Sequence, residues 1–197
     1  MNFPALDANY WNERYKTGNT GWDMQQASPP LTDYIDSLSD KNLRILIPGC
    51  GNAYEAEYLL QKGFTNVTLI DLSKVVTANL AEKYKGRPIK ILCEDFFSHE
   101  GNYDLILEQT FFCALAPSLR QDYIDKCYEL LVDGGKIAGV LFNKPLGMPA
   151  PPFVTNNEEY KRYFGSKFTI NIYEDCKNSI APRLGNEAFF EVEKKGD

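Results

Sequence analysis

A turn of small residues follows the first apolar segment of the chain. Residues 43–47 predict a strand, and Gly49, Cys50 and Gly51 come after it, just before the helical pattern of residues 53–62. Glycines at such a position let the backbone approach a ligand closely at the N-terminus of a helix. A tight strand–helix connection without a ligand explains the same residues, so the turn alone identifies no site.

An acidic residue ends the second predicted strand. Asp71 follows the apolar residues 67–70 and lies about 20 positions beyond Gly49, the separation at which a carboxylate binds the ribose hydroxyls of a nucleoside. Its alternative role is to cap the next helix, but Ser73 is better placed for that. The dinucleotide fingerprint needs a third glycine where this chain has Tyr54, so NAD and FAD are disfavoured.

The third predicted strand, residues 89–92, leads to a carboxylate and an aromatic ring. Asp95 can accept a hydrogen bond from the amino group of a base, and Phe96 can stack on the face of that base. A turn with a buried phenylalanine accounts for these residues equally well.

The fourth predicted strand, residues 103–107, leads to a polar pair and then an aromatic pair. Glu108 and Gln109 precede Phe111 and Phe112. Glu108 is a candidate catalytic base, although a carboxylate at this position can equally serve an electrostatic role. The two phenylalanines suit a dry pocket for a polarisable ligand.

The elements that position these residues alternate along the chain. Further helices are predicted over 74–85 and 118–131, and a fifth strand over 136–142. This alternation predicts a doubly wound, parallel α/β sheet, in which ligands bind at the carboxyl ends of the strands. After a helix at 157–164, the strand-like segments 168–174 and 188–194 predict an antiparallel hairpin at the sheet edge. We therefore expect a Rossmann-like, mostly parallel sheet of seven strands.

The composition and net charge of the chain exclude several classes of function. The chain has 197 residues, 44% of them hydrophobic, which fits one globular domain. Its net charge of −6 and sequence pI of about 5.0 make nucleic acid and anionic membranes poor partners. Five unclustered cysteines and a single histidine predict no metal site. The first residues lack the pattern of a signal peptide and no apolar run is long enough to span a bilayer, so we expect a cytoplasmic protein.

The single histidine, His99, lies between Ser98 and Glu100, and this polar context predicts a surface loop. A hydroxyl group that reacts as a nucleophile would need a base with a pKa near the working pH, most often a histidine. A soft nucleophile such as a thiolate needs no base. The chain therefore favours chemistry on a soft nucleophile.

Six motifs together resemble the thiopurine S-methyltransferase family of class I S-adenosylmethionine-dependent methyltransferases, which includes halide and thiol methyltransferases. They are YWNERY at 10–15, TGWD at 20–23, LIPGCG at 46–51, TFFCAL at 110–115, PPF at 151–153 and PRLG at 182–185. The resemblance implies S-adenosylmethionine as the methyl donor.

The resemblance also assigns residues to that cofactor. They are Trp11, Tyr15 and Trp22 in an N-terminal lid, Gly49, Cys50 and Gly51 at the methionine part, Asp71 at the ribose, Asp95 and Phe96 at the adenine, and Gln109 beside the sulfonium. Tyr15 stands where relatives often have Trp, and Gln109 where they often have Tyr. These departures affect substrate choice more than cofactor binding.

On the acceptor side, the aromatic side chains of Phe111, Phe112 and Phe153 are expected to contact the substrate, since they suit a soft, polarisable acceptor in a dry pocket. Arg183 could meet an anionic substrate, but a plain salt bridge is the more ordinary role of such a residue. Residues 144–153, rich in proline, are expected to form the acceptor-side loop.

The sequence thus predicts one methyltransferase domain over 1–197, with a cofactor lid at 1–30, a cofactor-binding core at 31–143, and the acceptor-side loop and last strands at 144–197. We expect a monomer that methylates a small soft nucleophile, in the first place a thiol or thiopurine sulfur. Transfer to halide or to selenium or tellurium compounds is the alternative within the family. A nicotinamide-dependent oxidoreductase and a non-catalytic cofactor-binding module are the alternatives from other classes.

Overall fold

The computed structural model describes residues 5–147 and 150–196, which include one sheet of seven strands in the order β3-β2-β1-β4-β5-β7-β6. Strands β1 to β5 are parallel, whereas β7 pairs antiparallel with both β5 and β6. The strands are β1 Ile45–Pro48, β2 Val67–Asp71, β3 Ile89–Cys93, β4 Tyr103–Gln109, β5 Leu131–Phe142, β6 Phe168–Asp175 and β7 Glu187–Lys194. The predicted α/β fold with its C-terminal antiparallel hairpin is confirmed.

Helices cover both faces of this sheet. They are α1 Ala8–Lys16, α2 Pro29–Ser37, α3 Tyr54–Gln61, α4 Lys74–Lys83, α5 Phe111–Ala114, α6 Arg120–Leu130 and α7 Asn157–Gly165. Two short 3₁₀ turns span Phe96–Ser98 and Pro117–Leu119. Since none of the described helices is long and apolar enough to cross a bilayer, the part of the chain that the structure covers has no helical membrane span.

Alternating side chains of the central strands divide the core into two clusters, one on each face of the sheet. In β1, Leu46 belongs to one cluster, while Ile45 and Ile47 belong to the other, as the two-residue period of a strand requires. All four residues of β1 are buried. This continuous apolar strand is typical of a parallel sheet that is covered on both faces.

The structure differs from the sequence-based boundaries at β5 and at the N-terminus. β5 begins at Leu131, because Leu131 pairs with Tyr103 before a register shift, after which Leu105 pairs with Lys136. The predicted strand covered only the second part of this pairing. The sequence pattern also missed α2, which begins with two prolines that are compatible with a first helical turn.

Close packing at Gly139 yields a stability prediction. A Cβ on this residue would lie 2.7 Å from the Phe190 ring and 2.8 Å from Glu108 Cγ, on the two neighbouring strands. We expect Gly139→Ala to lower the free energy of unfolding by about 1–3 kcal/mol, since the core has no room for the added methyl. Urea denaturation measures this change. Gly21→Ala is the control, because a Cβ there meets nothing within 4 Å, and equal effects of the two substitutions would contradict the prediction.

Candidate functional site

A cavity of about 740 Å³ lies at the carboxyl ends of β1 to β4, beneath the N-terminal segment. Each of these strand ends contributes to its wall, as expected for an open α/β sheet. The predicted site residues that line it are Trp11, Tyr15, Trp22, Gly49, Cys50, Gly51, Asp71, Asp95, Phe96, Gln109, Phe111 and Phe153. Three other predicted residues, Glu108, Phe112 and Arg183, do not line this cavity.

The turn after β1 has a backbone that favours glycine. Gly49 has a φ of 55° and Gly51 a φ of 52°, both in the left-handed region. A Cβ on Gly49 would lie 2.2 Å from the Phe111 ring, and one on Gly51 would lie 3.0 Å from the Tyr15 hydroxyl. Aromatic side chains from α5 and α1 therefore rest directly on the backbone of this turn.

Asp71 joins the end of β2 to that turn. Its Oδ2 accepts a hydrogen bond from the Gly51 N–H at 3.0 Å, and its Oδ1 accepts from the Ser73 N–H at 2.8 Å. Burial raises the pKa of this carboxyl, while the two backbone donors oppose the shift. Ser73 caps α4 through Val76 N–H, so Asp71 is available to the cavity rather than serving as the helix cap.

The residues after β3 form another part of the cavity wall. Asp95 Oδ1 accepts from the Phe97 N–H at 3.0 Å and so caps the 3₁₀ turn that follows. The Phe96 ring is buried and lies 5.5 Å from the rings of both Phe111 and Tyr123. Phe96 therefore belongs to the core and also lines the cavity. The sequence had left open whether it is a buried turn residue or a ring at the ligand site, and its position is compatible with both.

Three aromatic rings of the N-terminal segment contact one another over the cavity. The ring centroids of Trp11 and Trp22 are 5.5 Å apart, and those of Tyr15 and Trp22 are 5.8 Å apart, both edge to face. Burial raises the pKa of Tyr15 far above its ordinary value, so the phenol remains neutral.

Polar contacts attach this segment to the body of the protein. Asn12 Oδ1 accepts from Ser73 Oγ at 2.9 Å and from the Val75 N–H at 3.2 Å. Asp23 Oδ2 accepts from Asn52 Nδ2 at 2.8 Å and from the Tyr54 hydroxyl at 3.3 Å. The segment is therefore fixed at both the α4 side and the glycine-turn side of the cavity.

Arg183 supports the same segment from outside the cavity. Its guanidinium is buried, forms an ion pair with Glu187 at 3.0 Å and donates to the Trp22 carbonyl at 2.5 Å. The salt bridge weighed from the sequence is thus present. Arg183 does not line the cavity. The structure therefore does not place it where the predicted contact with an anionic substrate would require.

Phe111 and Phe112 separate into different environments at the start of α5. Phe111 lines the cavity, whereas Phe112 is fully buried against Tyr123, Tyr160 and Phe164. Adjacent residues of a helix point in different directions, so only one of the pair can face the ligand. The predicted substrate contact of Phe112 is not reproduced, because its ring fills the core.

Glu108 lies behind the cavity and holds the first turn of α5. Its Oε2 accepts from the N–H groups of Phe111 at 2.6 Å and Phe112 at 3.0 Å. Complete burial raises the pKa of this carboxyl to about 8. Its position fixes the helix that carries Phe111, and the structure does not bring it to the cavity as a catalytic group.

The prediction that His99 is a surface loop residue is wrong. The side chain is buried, with Nδ1 2.5 Å from Glu94 Oε1 and Nε2 2.8 Å from the Tyr103 hydroxyl. Its sequence neighbours are polar, and its two partners come from the ends of different strands. No local sequence signal reveals such a pairing.

The cavity is acidic. Of the described residues that line it, none is Lys, Arg or His. Six are acidic: Asp7, Asp23, Glu55, Asp71, Glu94 and Asp95. Of these six, Asp71 and Asp95 were predicted as site residues from the sequence, and the others are brought to the cavity by folding. Such a wall favours a cationic ligand.

Apolar side chains line the region between α5 and the loop that precedes α7. Phe111, Leu115, Leu119, Pro152 and Phe153 contribute to this surface. The Phe153 N–H donates to the Cys113 carbonyl at 2.6 Å, which fixes this loop against α5. Of the predicted acceptor-side loop, Met148 and Pro149 lie outside the described residues.

Comparison with known proteins gives one family. The model of the family described as Thiopurine S-methyltransferase matches residues 6–195. A protein of Arabidopsis thaliana named probable thiol methyltransferase 2 is 28% identical over 90% of this chain and 81% of its own length. Thiocyanate methyltransferase 1 of Brassica oleracea is 30% identical over the same shares, and thiopurine S-methyltransferase of Photobacterium profundum is 26% identical over 92% of this chain and 93% of its own.

Solved structures share the fold at low sequence identity. A 1,6-didemethyltoxoflavin-N1-methyltransferase of Burkholderia thailandensis, with bound S-adenosylhomocysteine, has a TM-score of 0.76 at 16% identity and covers 100% of this chain and 94% of its own. The magnesium protoporphyrin IX methyltransferase of Synechocystis PCC 6803 has a TM-score of 0.75 at 13% identity, with 99% and 100% covered. These likenesses confirm the class of fold.

Glu108 makes stability depend on pH. Its pKa is raised from 4.5 to about 8 in the folded protein, so its contribution is fully present below about pH 4.5 and is lost as the pH rises towards 8. Glu108→Gln removes this titration. Between pH 5.5 and 8.0, we expect the free energy of unfolding of the wild type to fall by about 1–3 kcal/mol more than that of the variant. Urea denaturation at both pH values tests this, and parallel pH profiles would refute the assignment.

Proposed function

The chain belongs to the thiopurine S-methyltransferase family, and from this premise we propose how its cavity binds S-adenosylmethionine and which acceptor it methylates. It is an S-adenosylmethionine-dependent methyltransferase that acts on a sulfur nucleophile. The observation that supports the proposed binding mode is the acidic cavity at the strand ends, with Asp71 in its wall and aromatic rings above it.

The described residues fit this cofactor. Asp71 has its carboxylate at the cavity, held by two backbone donors, and we assign it to the ribose hydroxyls. Asp95 and Phe96 are assigned to the adenine. The open backbone at Gly49, Cys50 and Gly51 is assigned to the methionine part. The acidic wall favours the positive charge that a sulfonium carries.

Trp11, Tyr15, Trp22 and Gln109 are assigned to the surroundings of the sulfonium. Electron-rich rings attract a cation, and the rings of Trp11, Tyr15 and Trp22 lie against one another at the cavity. S-adenosylmethionine, when bound, would supply an electrophilic methyl carbon: as an in-line sulfur nucleophile forms the new S–CH₃ bond, the sulfonium C–S bond would break and its electron pair would stay on the departing thioether, S-adenosylhomocysteine. The protein therefore has to orient the acceptor and keep the site dry.

The mechanism assigns no catalytic base. His99 uses both ring nitrogens within the protein, and Glu108 faces the backbone of α5. Neither residue lines the cavity. A thiol acceptor supplies a useful thiolate fraction near neutral pH and releases its proton to solvent.

The proposed acceptor is a small thiol or thiopurine with an apolar body and no additional negative charge. Phe111, Leu115, Leu119 and Phe153 offer an apolar surface for that body. A carboxylate on the acceptor would meet no basic side chain among the described lining residues. Arg183, the cation suggested by the sequence, is already paired with Glu187.

Soft nucleophiles other than thiols are the second candidate. The similarity to a protein named thiocyanate methyltransferase favours testing small anions and selenium or tellurium compounds. A non-catalytic module is not supported by the comparisons. We further propose that the protein is a monomer and acts on small molecules. Its net charge of −6 disfavours nucleic acid as a partner. Five free cysteines suit a reducing cytoplasm.

Substitution of Asp71 tests the cofactor site. We expect Asp71→Asn to weaken binding of S-adenosylhomocysteine by about 10–100-fold, because an amide is a poorer partner for ribose hydroxyls than a carboxylate. Titration calorimetry measures the dissociation constant. The control is Asp122→Asn, an exposed residue of α6 outside the main cavity. Unchanged affinity in folded Asp71→Asn would show that the ribose assignment is wrong.

A matched pair of acceptors tests the charge selection. We expect benzenethiol to have a kcat/KM at least about tenfold higher than 4-mercaptobenzoate, because the acidic wall repels the added carboxylate. Leu119→Lys places a cation at the partly exposed edge of the cavity and should narrow this ratio, whereas Leu119→Gln should not. Iodide and thiocyanate are measured alongside. Equal rates for the two thiols would contradict the proposed selection.

A further inference from the structure

Three side chains form a continuous hydrogen-bond chain behind the loop at the adenine end of the cavity. Glu94 follows β3, His99 follows the 3₁₀ turn Phe96–Ser98, and Tyr103 begins β4. His99 Nδ1 lies 2.5 Å from Glu94 Oε1, and Nε2 lies 2.8 Å from the Tyr103 hydroxyl. The histidine therefore links the two ends of the loop 94–99 to each other and to the next strand.

A neutral imidazole satisfies both bonds of this chain. Nδ1–H can donate to the Glu94 carboxylate while Nε2 accepts from the Tyr103 hydroxyl. Lys126 of α6 is a further charged group at this residue: its Nζ donates to the His99 carbonyl at 3.2 Å and is also paired with Glu129. Glu94 and Tyr103 thus orient the ring, and Lys126 holds the backbone of His99 from α6.

The loop that His99 closes carries the proposed adenine wall. Asp95 and Phe96 lie within it, and Glu94 itself lines the cavity. At its start, the Glu94 N–H donates to the Asp71 carbonyl at 3.2 Å. Its far end is fixed by the His99 side chain and by the His99 N–H, which donates to the Phe96 carbonyl at 3.2 Å. Loss of the imidazole would therefore free one end of the loop and leave the buried Tyr103 hydroxyl without this partner.

We infer that His99 is a positioning residue for cofactor binding: through Glu94 and Tyr103 it holds the loop 94–99 in the conformation that presents Asp95 and Phe96 to the adenine. This inference rests on the proposed function, because it assigns the adenine to this end of the cavity. It makes His99 a determinant of cofactor affinity and leaves the transfer step unaffected. Preorganisation of binding residues by a supporting shell is the physical basis.

The experiment compares His99→Ala with two more conservative variants. His99→Gln keeps a donor for Glu94 and an acceptor for Tyr103, and Tyr103→Phe removes only the hydroxyl. We expect His99→Ala to weaken S-adenosylhomocysteine binding by about tenfold or more, His99→Gln to restore most of the affinity, and Tyr103→Phe to give a smaller loss. In turnover, KM for S-adenosylmethionine should rise in His99→Ala, while kcat stays within about twofold.

A second ligand separates positioning from general destabilisation. S-inosylhomocysteine carries a carbonyl where the adenine has its amino group, so a fixed Asp95 should reject it. We expect His99→Ala to reduce the preference for S-adenosylhomocysteine over this analogue. Ile124→Val, a core truncation on α6, is the control. It should lower stability and leave both the affinity and the preference unchanged.

The outcomes separate the two levels of the proposal. If the wild type binds no S-adenosylhomocysteine, the proposed function fails. If it binds and folded His99→Ala binds equally well, the inference is overturned while the function stands. A fall in kcat with unchanged KM would also overturn it, since His99 would then act in the transfer step. Should His99→Ala fail to fold, unchanged affinity in Tyr103→Phe decides against the inference.

Discussion

The buried carboxylate of Asp71 is the contact on which the geometry of the site depends. It binds the Gly51 N–H and the Ser73 N–H at once, so one side chain sets the turn after β1 against the start of α4. The hydroxyl of Ser73 donates to Asn12 of the N-terminal segment, and the Asp71 carbonyl accepts from the Glu94 N–H of the loop 94–99. Cavity floor, lid and loop therefore share a common anchor at the end of β2.

Aromatic side chains pack against the turn that Asp71 holds. The Phe111 ring lies on Gly49, and the Tyr15 hydroxyl lies above Gly51. Larger residues at those two positions would displace the rings as well as strain the backbone. Glu108 in turn fixes the helix that carries Phe111. The two glycines thus leave room for aromatic side chains of the protein itself, in addition to room for a ligand.

The elements with strong local patterns were predictable from the sequence, and the side-chain contacts that depend on how the strands and helices pack were not. Apolar runs and helical spacing predicted the strand segments along the chain and the C-terminal hairpin, and cap chemistry distinguished Ser73 from Asp71. The partners of His99 lie within five residues of it along the chain, but they meet it only because the ends of β3 and β4 bring them together. Arg183 donates to the Trp22 carbonyl, which belongs to a distant part of the chain. Phe111 and Phe112 are alike in type, so only the geometry of the short helix α5 decides which of them reaches the cavity.

The acidity of the cavity connects binding with turnover. Burial raises the pKa of Asp71 and of Glu55, which means that their negative charges are poorly solvated in the protein. A cationic ligand stabilises these buried negative charges, whereas the same ligand without its positive charge does not. Methyl transfer converts the sulfonium into a neutral thioether, so the reaction removes the charge that the cavity favours. In the proposed binding mode, these acids hold the demethylated product less strongly than S-adenosylmethionine, so the same side chains promote release of the product.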